Sequence, residues 1–134
     1  MRFFVSLSEE DRRFFHPHPL TEAGARLVCE HSGADLYYAL HTEERILAYG
    51  MLRGWDAGFE IPSLGMVVAA DSRGRGLGKV VVSLLHEAAR QRGAQRIRLK
   101  VYSENKVAQR LYRSLGYTFR DELEDGQLVG FSDL

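Results

Sequence analysis

The chain has 134 residues, of which 45% are apolar and 27% charged, and its 18 basic side chains balance its 18 acidic ones. This length and composition predict one globular domain over residues 1–134, large enough to bury a core without disulfides. Cys29 is the only cysteine, which excludes an internal bridge and is typical of a reducing cytoplasm. Because we find no run of about 18 apolar residues and no secretory signal pattern, we expect a cytoplasmic protein with no membrane partner.

Basic side chains are concentrated in the middle of this neutral chain. Residues 73–110 hold ten lysines and arginines against two glutamates, whereas the segment 121–133 is acidic. A local basic stretch in a neutral protein favours a small anionic ligand over a long nucleic acid, and a solvated basic helix face is the alternative. RNA binding would need stacking aromatics, of which residues 90–110 contain only Tyr102, so we expect no nucleic-acid partner.

The N-terminal part of the chain predicts a short strand and two helices. Residues 3–5 are apolar, and Ser8 is placed to cap a helix with an acidic first turn. The two prolines in residues 16–19 end that helix, because each disfavours helical backbone at the residue before it. Thr21 then caps a second helix.

The next segments predict the first part of a sheet. Residues 34–41 and 46–52 are apolar runs on either side of a polar turn, which is the pattern of a β-hairpin. After a glycine-containing loop over residues 53–59, a third strand is predicted over residues 61–70, with Pro62 tolerated near its start.

A glycine-rich turn follows this third strand. The run Arg73-Gly74-Arg75-Gly76-Leu77-Gly78 leads into a helix pattern over residues 79–92. Glycine lets the backbone approach a ligand closely, and the first amides of a helix have no partner inside the helix. With the helix dipole and the nearby charges of Arg73, Arg75 and Lys79, the turn predicts a phosphate site. The spelling fits neither the nucleoside-triphosphate loop nor the dinucleotide fingerprint, and a tight turn without a ligand is the alternative.

The second half of the chain predicts a parallel crossover followed by a hairpin. Residues 96–101 alternate basic and apolar side chains, which predicts a strand. With the helix before it, this strand completes a strand–helix–strand unit, so the strands on either side of the helix are expected to run parallel. A helix pattern opened by Ser103 or Glu104 runs to residue 115, and a strand follows at 117–120. Asp125-Gly126 predicts a turn before a last strand at 128–131. The expected fold class is α/β (an α+β mixed sheet), with about six to seven strands flanked by about four helices.

Two sequence blocks stand at a fixed spacing in this order of elements. Arg73, Gly76 and Gly78 match the acyl-CoA-binding signature Arg/Gln-x-x-Gly-x-Gly/Ala, and residues 105–117 match Asn-x-x-Ala-x-x-Leu-Tyr-x-x-x-Gly-Phe/Tyr. Together, over nearly the whole chain, they resemble the GNAT superfamily of N-acetyltransferases. The resemblance implies the GNAT-like acyl-CoA N-acyltransferase fold and an enzyme that transfers an acetyl group from acetyl-CoA, its co-substrate, to a primary amine by direct attack.

The resemblance also implies roles for the matched residues. The cofactor would be held by Met66, Val67, Val68, Arg73, Gly74, Arg75, Gly76, Leu77, Gly78, Lys79, Asn105 and Tyr112. The strands over residues 61–70 and 96–101 would splay apart, so that the pantetheine arm enters the gap. The acceptor would be a small-molecule or protein amine, and the protein a monomer or a homodimer.

Tyr112 and Glu60 are the predicted catalytic residues. A thiol titrates near about 8.5 and a phenol near about 10, so Tyr112 can give its proton to the leaving thiolate without a steep uphill step. An N–H of Val67 or Val68 would stabilise the oxyanion. Glu60 is the predicted base for the amine, with an exposed strand-end carboxylate as the alternative. Some family members that acetylate protein N-termini carry a glutamate where this chain has Lys100, which argues against that acceptor.

A non-catalytic function is the main alternative. That alternative is a GNAT-like module that binds acyl-CoA or a partner, as a sensor or assembly domain. Tyr112 and the intact glycines favour the enzyme. His16 and His18 lack an evident third ligand, so we expect no metal site. A place in the acceptor pocket, a role as a base and a rigid proline loop without chemistry all stay open.

Overall fold

The computed structural model describes residues 33–43 and 45–134, which form six strands, two α-helices and a short 3-10 turn. The elements are β1 Leu36–His41, β2 Ile46–Arg53, β3 Ser63–Val68, the 3-10 turn Ala70–Ser72, α1 Leu77–Gln91, β4 Arg96–Tyr102, α2 Lys106–Ser114, β5 Thr118–Glu124 and β6 Gln127–Asp133. The strand and two helices predicted before residue 33, with His16, His18 and Cys29, lie outside the described residues.

The described strands form one mixed sheet in the order β1-β2-β3-β4-β6-β5. Neighbouring strands are antiparallel except β3 and β4, which run parallel and are joined by α1. Parallel neighbours need such a crossover connection, whereas antiparallel ones can be joined by tight turns. The predicted hairpins, crossover and mixed α/β sheet are therefore confirmed.

The core lies between α1 and one face of the sheet. Leu85 on α1 is 1% exposed, and on the strands Leu52 and Ile97 are fully buried. A Cβ on Gly50 would lie 2.8 Å from Val81 and 3.0 Å from Leu85, so glycine at this position of β2 lets α1 approach the sheet closely. This packing fixes where α1 begins, and α1 begins at the glycine-rich turn.

The parallel strands β3 and β4 pair only along the first two residues of β3. Their register consists of Ser63 with Arg98 and Leu64 with Leu99, while β3 continues to pair with β2 as far as Val68. The rest of β3 and the end of β4 therefore splay apart and leave a gap in the sheet. The splay that the family resemblance implies is present.

Several predicted boundaries differ from those in the structure: the strand predicted at 117–120 spans Thr118–Glu124, and the bounds of the third strand and of α2 are also wrong. The third strand spans Ser63–Val68 rather than residues 61–70, because Ser72 N donates to Ala69 O (2.9 Å) and turns the chain into the 3-10 segment. The helix α2 begins at Lys106 rather than at Ser103 or Glu104. Its N-cap is Asn105, whose side chain accepts a hydrogen bond from Ala108 N (3.3 Å), as is usual for an N-cap asparagine.

An arginine from the β1–β2 turn holds the 3-10 turn in place. The Arg45 guanidinium donates to the Asp71 carboxylate and to Ser72 Oγ (3.3 Å), and Ser72 is only 1% exposed. The hydrogen bond from Arg45 is the main reason why the pKa of Asp71 lies below its ordinary value. The connection that leads into the glycine-rich turn is thus tied to the far hairpin by side chains.

Leu85→Ala should lower the free energy of unfolding by about 2–5 kcal/mol, because it leaves a cavity between α1 and the sheet. Leu84→Ala is the matched control, since it removes the same atoms from the next residue, which is 58% exposed. The control should change the free energy of unfolding by less than about 0.5 kcal/mol. Urea unfolding followed by circular dichroism measures both, and equal losses would contradict the packing described.

Arg45→Gln should raise the pKa of Asp71 toward its ordinary value, because the cation that favours the carboxylate is removed. In the wild type the pKa of Asp71 is lower in the folded state than in the unfolded state. The contact with Arg45 therefore stabilises the folded state above about pH 4, and this stabilisation is lost as the pH falls through the folded-state pKa. NMR titration of the Asp71 carboxyl carbon measures the shift.

Arg96→Gln is the matched control for this titration. The Arg96 side chain is 48% exposed, against 47% for Arg45, and it pairs with Asp133 instead. The control should leave the pKa of Asp71 unchanged. An Asp71 pKa that does not change in Arg45→Gln, or that changes equally in both variants, would show that Arg45 does not lower the pKa of this carboxyl.

Candidate functional site

A cavity of about 560 Å³ opens at the gap between β3 and β4. Its walls come from β3, the glycine-rich turn with the start of α1, the end of β4, and α2. Eleven of the predicted cofactor residues line it: Met66, Val67, Val68, Arg73, Gly74, Gly76, Leu77, Gly78, Lys79, Asn105 and Tyr112. Arg75 and Glu60 are exposed and do not line the cavity; Glu60 lies in the loop before β3.

The peptide groups of β3 alternate between its two neighbours. Ala69 N, just beyond the strand, donates to Leu47 O (2.8 Å) next to β2. Pro62 O, just before the strand, accepts from Arg98 N on β4 (3.0 Å). Because peptide groups point to opposite sides at successive residues, the odd-numbered residues of β3 face β2 and the even-numbered ones face β4.

Met66 and Val68 consequently direct their N–H and C=O groups into the gap, whereas those of Val67 point toward β2. The Val68 carbonyl accepts a hydrogen bond from Arg73 Nε (3.1 Å), which closes the end of the strand. An extended ligand arm can pair with Met66 and with the Val68 N–H. Of the two oxyanion donors considered from the sequence, Val68 is the one whose N–H faces the gap.

The glycine-rich turn brings the start of α1 against the cavity. Gly76 is the N-cap of α1 with a φ of 76°, a left-handed conformation that favours glycine. A Cβ on Gly78 would lie 3.1 Å from Leu111 Cδ2 and 3.2 Å from Met66 Cε, so α1 lies close to β3 and α2 here, and a larger residue would require these side chains to shift by a few tenths of an ångström. No side chain caps the first amides of α1, and its first turn holds no acidic residue. These amides, the helix dipole and the adjacent Lys79 suit an anion such as a pyrophosphate.

A side chain of α2 is hydrogen-bonded to the backbone at the end of β4. Gln109 is 2% exposed, and its side-chain amide donates to Tyr102 O (3.1 Å) and Ser103 O (2.9 Å). Asn105, predicted to contact the cofactor, lines the cavity and also caps this helix. The helix that carries Tyr112 is therefore held rigidly beside the gap.

Tyr112 lies at the inner wall of the cavity. The residue is 7% exposed, and its ring meets that of Tyr117 edge-on, with centroids 5.6 Å apart and planes at 64°. Burial raises the pKa of the Tyr112 hydroxyl above its ordinary value. Tyr112 is thus a neutral phenol that can donate a hydrogen bond or a proton to a group in the cavity.

The sequence analysis missed several of the lining residues, among them Ser72 and an apolar group on α2. Ser72 has no distinctive local pattern, and its burial depends on the distant Arg45. On α2, Val107, Ala108 and Leu111 supply an apolar wall, and Val107 is 72% exposed at the mouth. The helical spacing of the α2 residues with Tyr112 was a signal that could have found them.

Lys100 lines the cavity from the other side of the sheet. It and Val101 are successive residues of β4, so they point to opposite faces, and the cavity reaches both. Lys100 Nζ pairs with Glu124 (2.9 Å) and Asp125 (3.4 Å) at the β5–β6 turn. The hydrogen bond from Lys100 is the main reason why the pKa of Glu124 is lowered.

Within residues 33–43 and 45–134, no group of three or more His, Cys, Asp or Glu side chains is placed to hold a metal ion. In the same residues, neither helix combines the length and the apolar character needed to cross a membrane.

The chain is similar to curated proteins over part of their length. It is 32% identical over 82 residues to the uncharacterized N-acetyltransferase YobR of Bacillus subtilis, covering 61% of this chain and 32% of that protein. It is 40% identical over 78 residues to the mycothiol acetyltransferase of Acidothermus cellulolyticus, covering 58% of this chain and 22% of that protein. The chain therefore spans a third or less of the length of these relatives.

Solved structures share the fold. The GNAT domain of S. lividans PAT superposes with a TM-score of 0.86 at 21% identity, covering 99% of this chain and 82% of that one. The PaiA N-acetyltransferase of Thermoplasma acidophilum, in complex with coenzyme A, superposes with a TM-score of 0.67 at 14% identity, covering 75% and 61%. The model of the acetyltransferase (GNAT) family matches residues 3–117. The chain belongs to the acetyltransferase (GNAT) family.

Proposed function

We propose that this chain transfers an acyl group, with acetyl as the expected case, from acyl-CoA to a primary amine by direct attack on the thioester. One observation carries the proposal. A single cavity of about 560 Å³ joins the amide-lined start of α1 to buried Tyr112 along the edge of β3 that β4 leaves free. Pyrophosphate, pantetheine arm and thioester follow one another in acyl-CoA, so the chemistry of the walls matches the molecule in order.

The described residues suit each part of the cofactor. The amides from Gly74 to Lys79, with the charges of Arg73 and Arg75, would hold the pyrophosphate. The pantetheine amides would pair with the peptide groups of β3 at Met66 and Val68, and Val67 and Asn105 would contact the arm. Bound cofactor would also cover the apolar mouth, where Val107 is 72% exposed. The PaiA N-acetyltransferase, a structural neighbour with the same fold, was solved in complex with coenzyme A, which supports coenzyme A as the kind of ligand that the cavity would take.

The proposed reaction uses the same residues. A neutral amine attacks the thioester carbonyl, and the resulting oxyanion accepts a hydrogen bond from one of the N–H groups on the free edge of β3, at Met66 or Val68. Removing such a donor costs about 2.7–4 kcal/mol of transition-state stabilisation where it has been measured. The C–S bond then breaks, and the leaving thiolate takes the proton of Tyr112.

Glu60 is the proposed base that removes the proton of the amine. It is exposed in the loop before β3 and does not line the cavity, so it would act through water. The proposed acceptor is a small-molecule or protein amine, with the protein acting as a monomer or a homodimer.

A non-catalytic module that binds acyl-CoA, as a sensor or assembly domain, is the second candidate. The amide-lined start of α1 and the free edge of β3 would serve it equally. Buried Tyr112 at the inner wall is the feature that favours the enzyme, because binding alone does not need a proton donor there.

The purified chain should release free thiol from acetyl-CoA when it is offered at least one member of a panel of primary amines. A thiol-reactive dye measures release, and calorimetry measures coenzyme A binding in parallel. Binding without release from any amine would favour the sensor module. No binding at millimolar coenzyme A would contradict both functions.

Tyr112→Phe should lower turnover about tenfold or more, because the leaving thiolate loses its proton donor. The affinity for coenzyme A should change little, since the ring stays in place. Steady-state kinetics and calorimetry measure the two quantities. Unchanged turnover would remove the proton-donor role, and an equal loss of affinity would assign the hydroxyl to binding instead.

A further inference from the structure

A hydrogen-bonded pair of side chains lies directly behind Tyr112. Tyr117 is 3% exposed and does not line the cavity, yet its ring meets the edge of the Tyr112 ring. The Tyr117 hydroxyl is hydrogen-bonded to His86 Nε2 on α1 (2.8 Å), and the two rings are tilted at 46°. We propose that His86 and Tyr117 are positioning residues that fix where the Tyr112 hydroxyl stands in the cavity, a role that rests on the function proposed above.

The backbone links the two tyrosines as well. Tyr117 N donates to Tyr112 O (3.0 Å) across the end of α2, where Gly116 adopts a φ of 101°. The last turn of the helix therefore carries the Tyr117 ring back against Tyr112. With the backbone fixed in this way, the Tyr112 ring can still rotate about χ1 and χ2, and its contact with the Tyr117 ring limits these rotations.

The Tyr117 hydroxyl is not needed for packing. The family block that this chain resembles allows phenylalanine or tyrosine at this position, and phenylalanine would fill the same space without a buried polar atom. A buried hydroxyl needs a hydrogen-bond partner, and His86 supplies it from α1. The bond therefore joins α1 to the end of α2 directly behind the proposed proton donor.

Both members of the pair are neutral at physiological pH. Burial, followed by the charge of Arg90, lowers the pKa of His86 below its ordinary value, and burial is the main reason why the pKa of Tyr117 is raised. The pair thus orients Tyr112 without adding a charge beside it. Small displacements matter here, because a misplacement of about 1 Å can cost about 100-fold in rate.

Three variants and one control test the proposal. Tyr117→Phe keeps the ring and removes the bond, and His86→Leu removes the bond from the other side. His86→Gln restores it, since its side-chain amide can donate or accept. Tyr38→Phe is the control, because Tyr38 is 46% exposed on β1 and its hydroxyl is remote from the cavity.

Tyr117→Phe and His86→Leu should each lower kcat about 5- to 20-fold while the Kd of coenzyme A changes less than about twofold. His86→Gln should recover most of the turnover, and Tyr38→Phe should match the wild type. The double variant His86→Leu/Tyr117→Phe should be no slower than either single variant, since all three lack the same bond. Wild-type turnover in Tyr117→Phe, a parallel loss of coenzyme A affinity, or a His86→Gln variant as slow as His86→Leu would overturn the positioning role.

A spectroscopic measurement separates this inference from the proposed function. With 3-fluorotyrosine incorporated, the ¹⁹F resonance of Tyr112, assigned from Tyr112→Phe, should move in Tyr117→Phe and His86→Leu and return in His86→Gln. That response without thiol release from any amine would leave the pair standing and reject the enzyme. Thiol release with an unchanged Tyr112 resonance in the variants would support the enzyme and reject the positioning role of His86 and Tyr117.

Discussion

The site depends on the early end of pairing between β3 and β4. Only two residue pairs join these strands, and the peptide groups of Met66 and Val68 then face a gap instead of a neighbouring strand. Backbone N–H and C=O groups left without a partner away from water are costly. The Arg73 side chain binds one of them, the Val68 carbonyl. The others form a strand edge that an extended ligand with its own amides can complete, and the amides of α1 lie at the end of that edge.

The burial that makes Tyr112 a weak acid does not by itself disqualify it as a proton donor. Desolvation raises the pKa of the phenol, because it disfavours the tyrosinate. The thiolate that leaves acyl-CoA would form in the same cavity, so the same desolvation raises the pKa of its thiol. The driving force depends on the difference between the two values, which shared burial changes less than either value. What burial does require is exact placement of the two partners, because the proton passes directly from the phenol to the thiolate.

Local patterns predicted the parts of the fold that depend on local chemistry. The β1–β2 hairpin, the helix after the glycine-rich turn and the parallel crossover follow from periodicity and from glycine. The early end of β3 could not be predicted, because the 3-10 turn that follows it is held by Arg45, which is 26 residues from Asp71. The helix start at Lys106 was missed because Ser103, Glu104 and Asn105 are all plausible caps, and only the fold shows that Asn105 accepts from Ala108. Most of the predicted cofactor residues line one cavity. The position of Ser72 in the cavity wall depends on its contact with the distant Arg45, which the local sequence does not reveal.

The far side of the gap limits which amines suit the proposed reaction. Lys100 stands there with its charge held by Glu124 and Asp125, and none of the described residues that line the cavity is acidic. Glu124 is itself committed to Lys100 and Arg98, with a lowered pKa that makes it a poor base. An ammonium group that enters would meet a cation instead of a carboxylate, so its own pKa decides how easily it loses a proton. An α-amine near about 8 does so more readily than a lysine side chain near about 10.4. For the proposed transfer, an acceptor whose amine is already weakly basic, or whose own anionic group offsets Lys100, would therefore suit this wall of the cavity better than a lysine side chain.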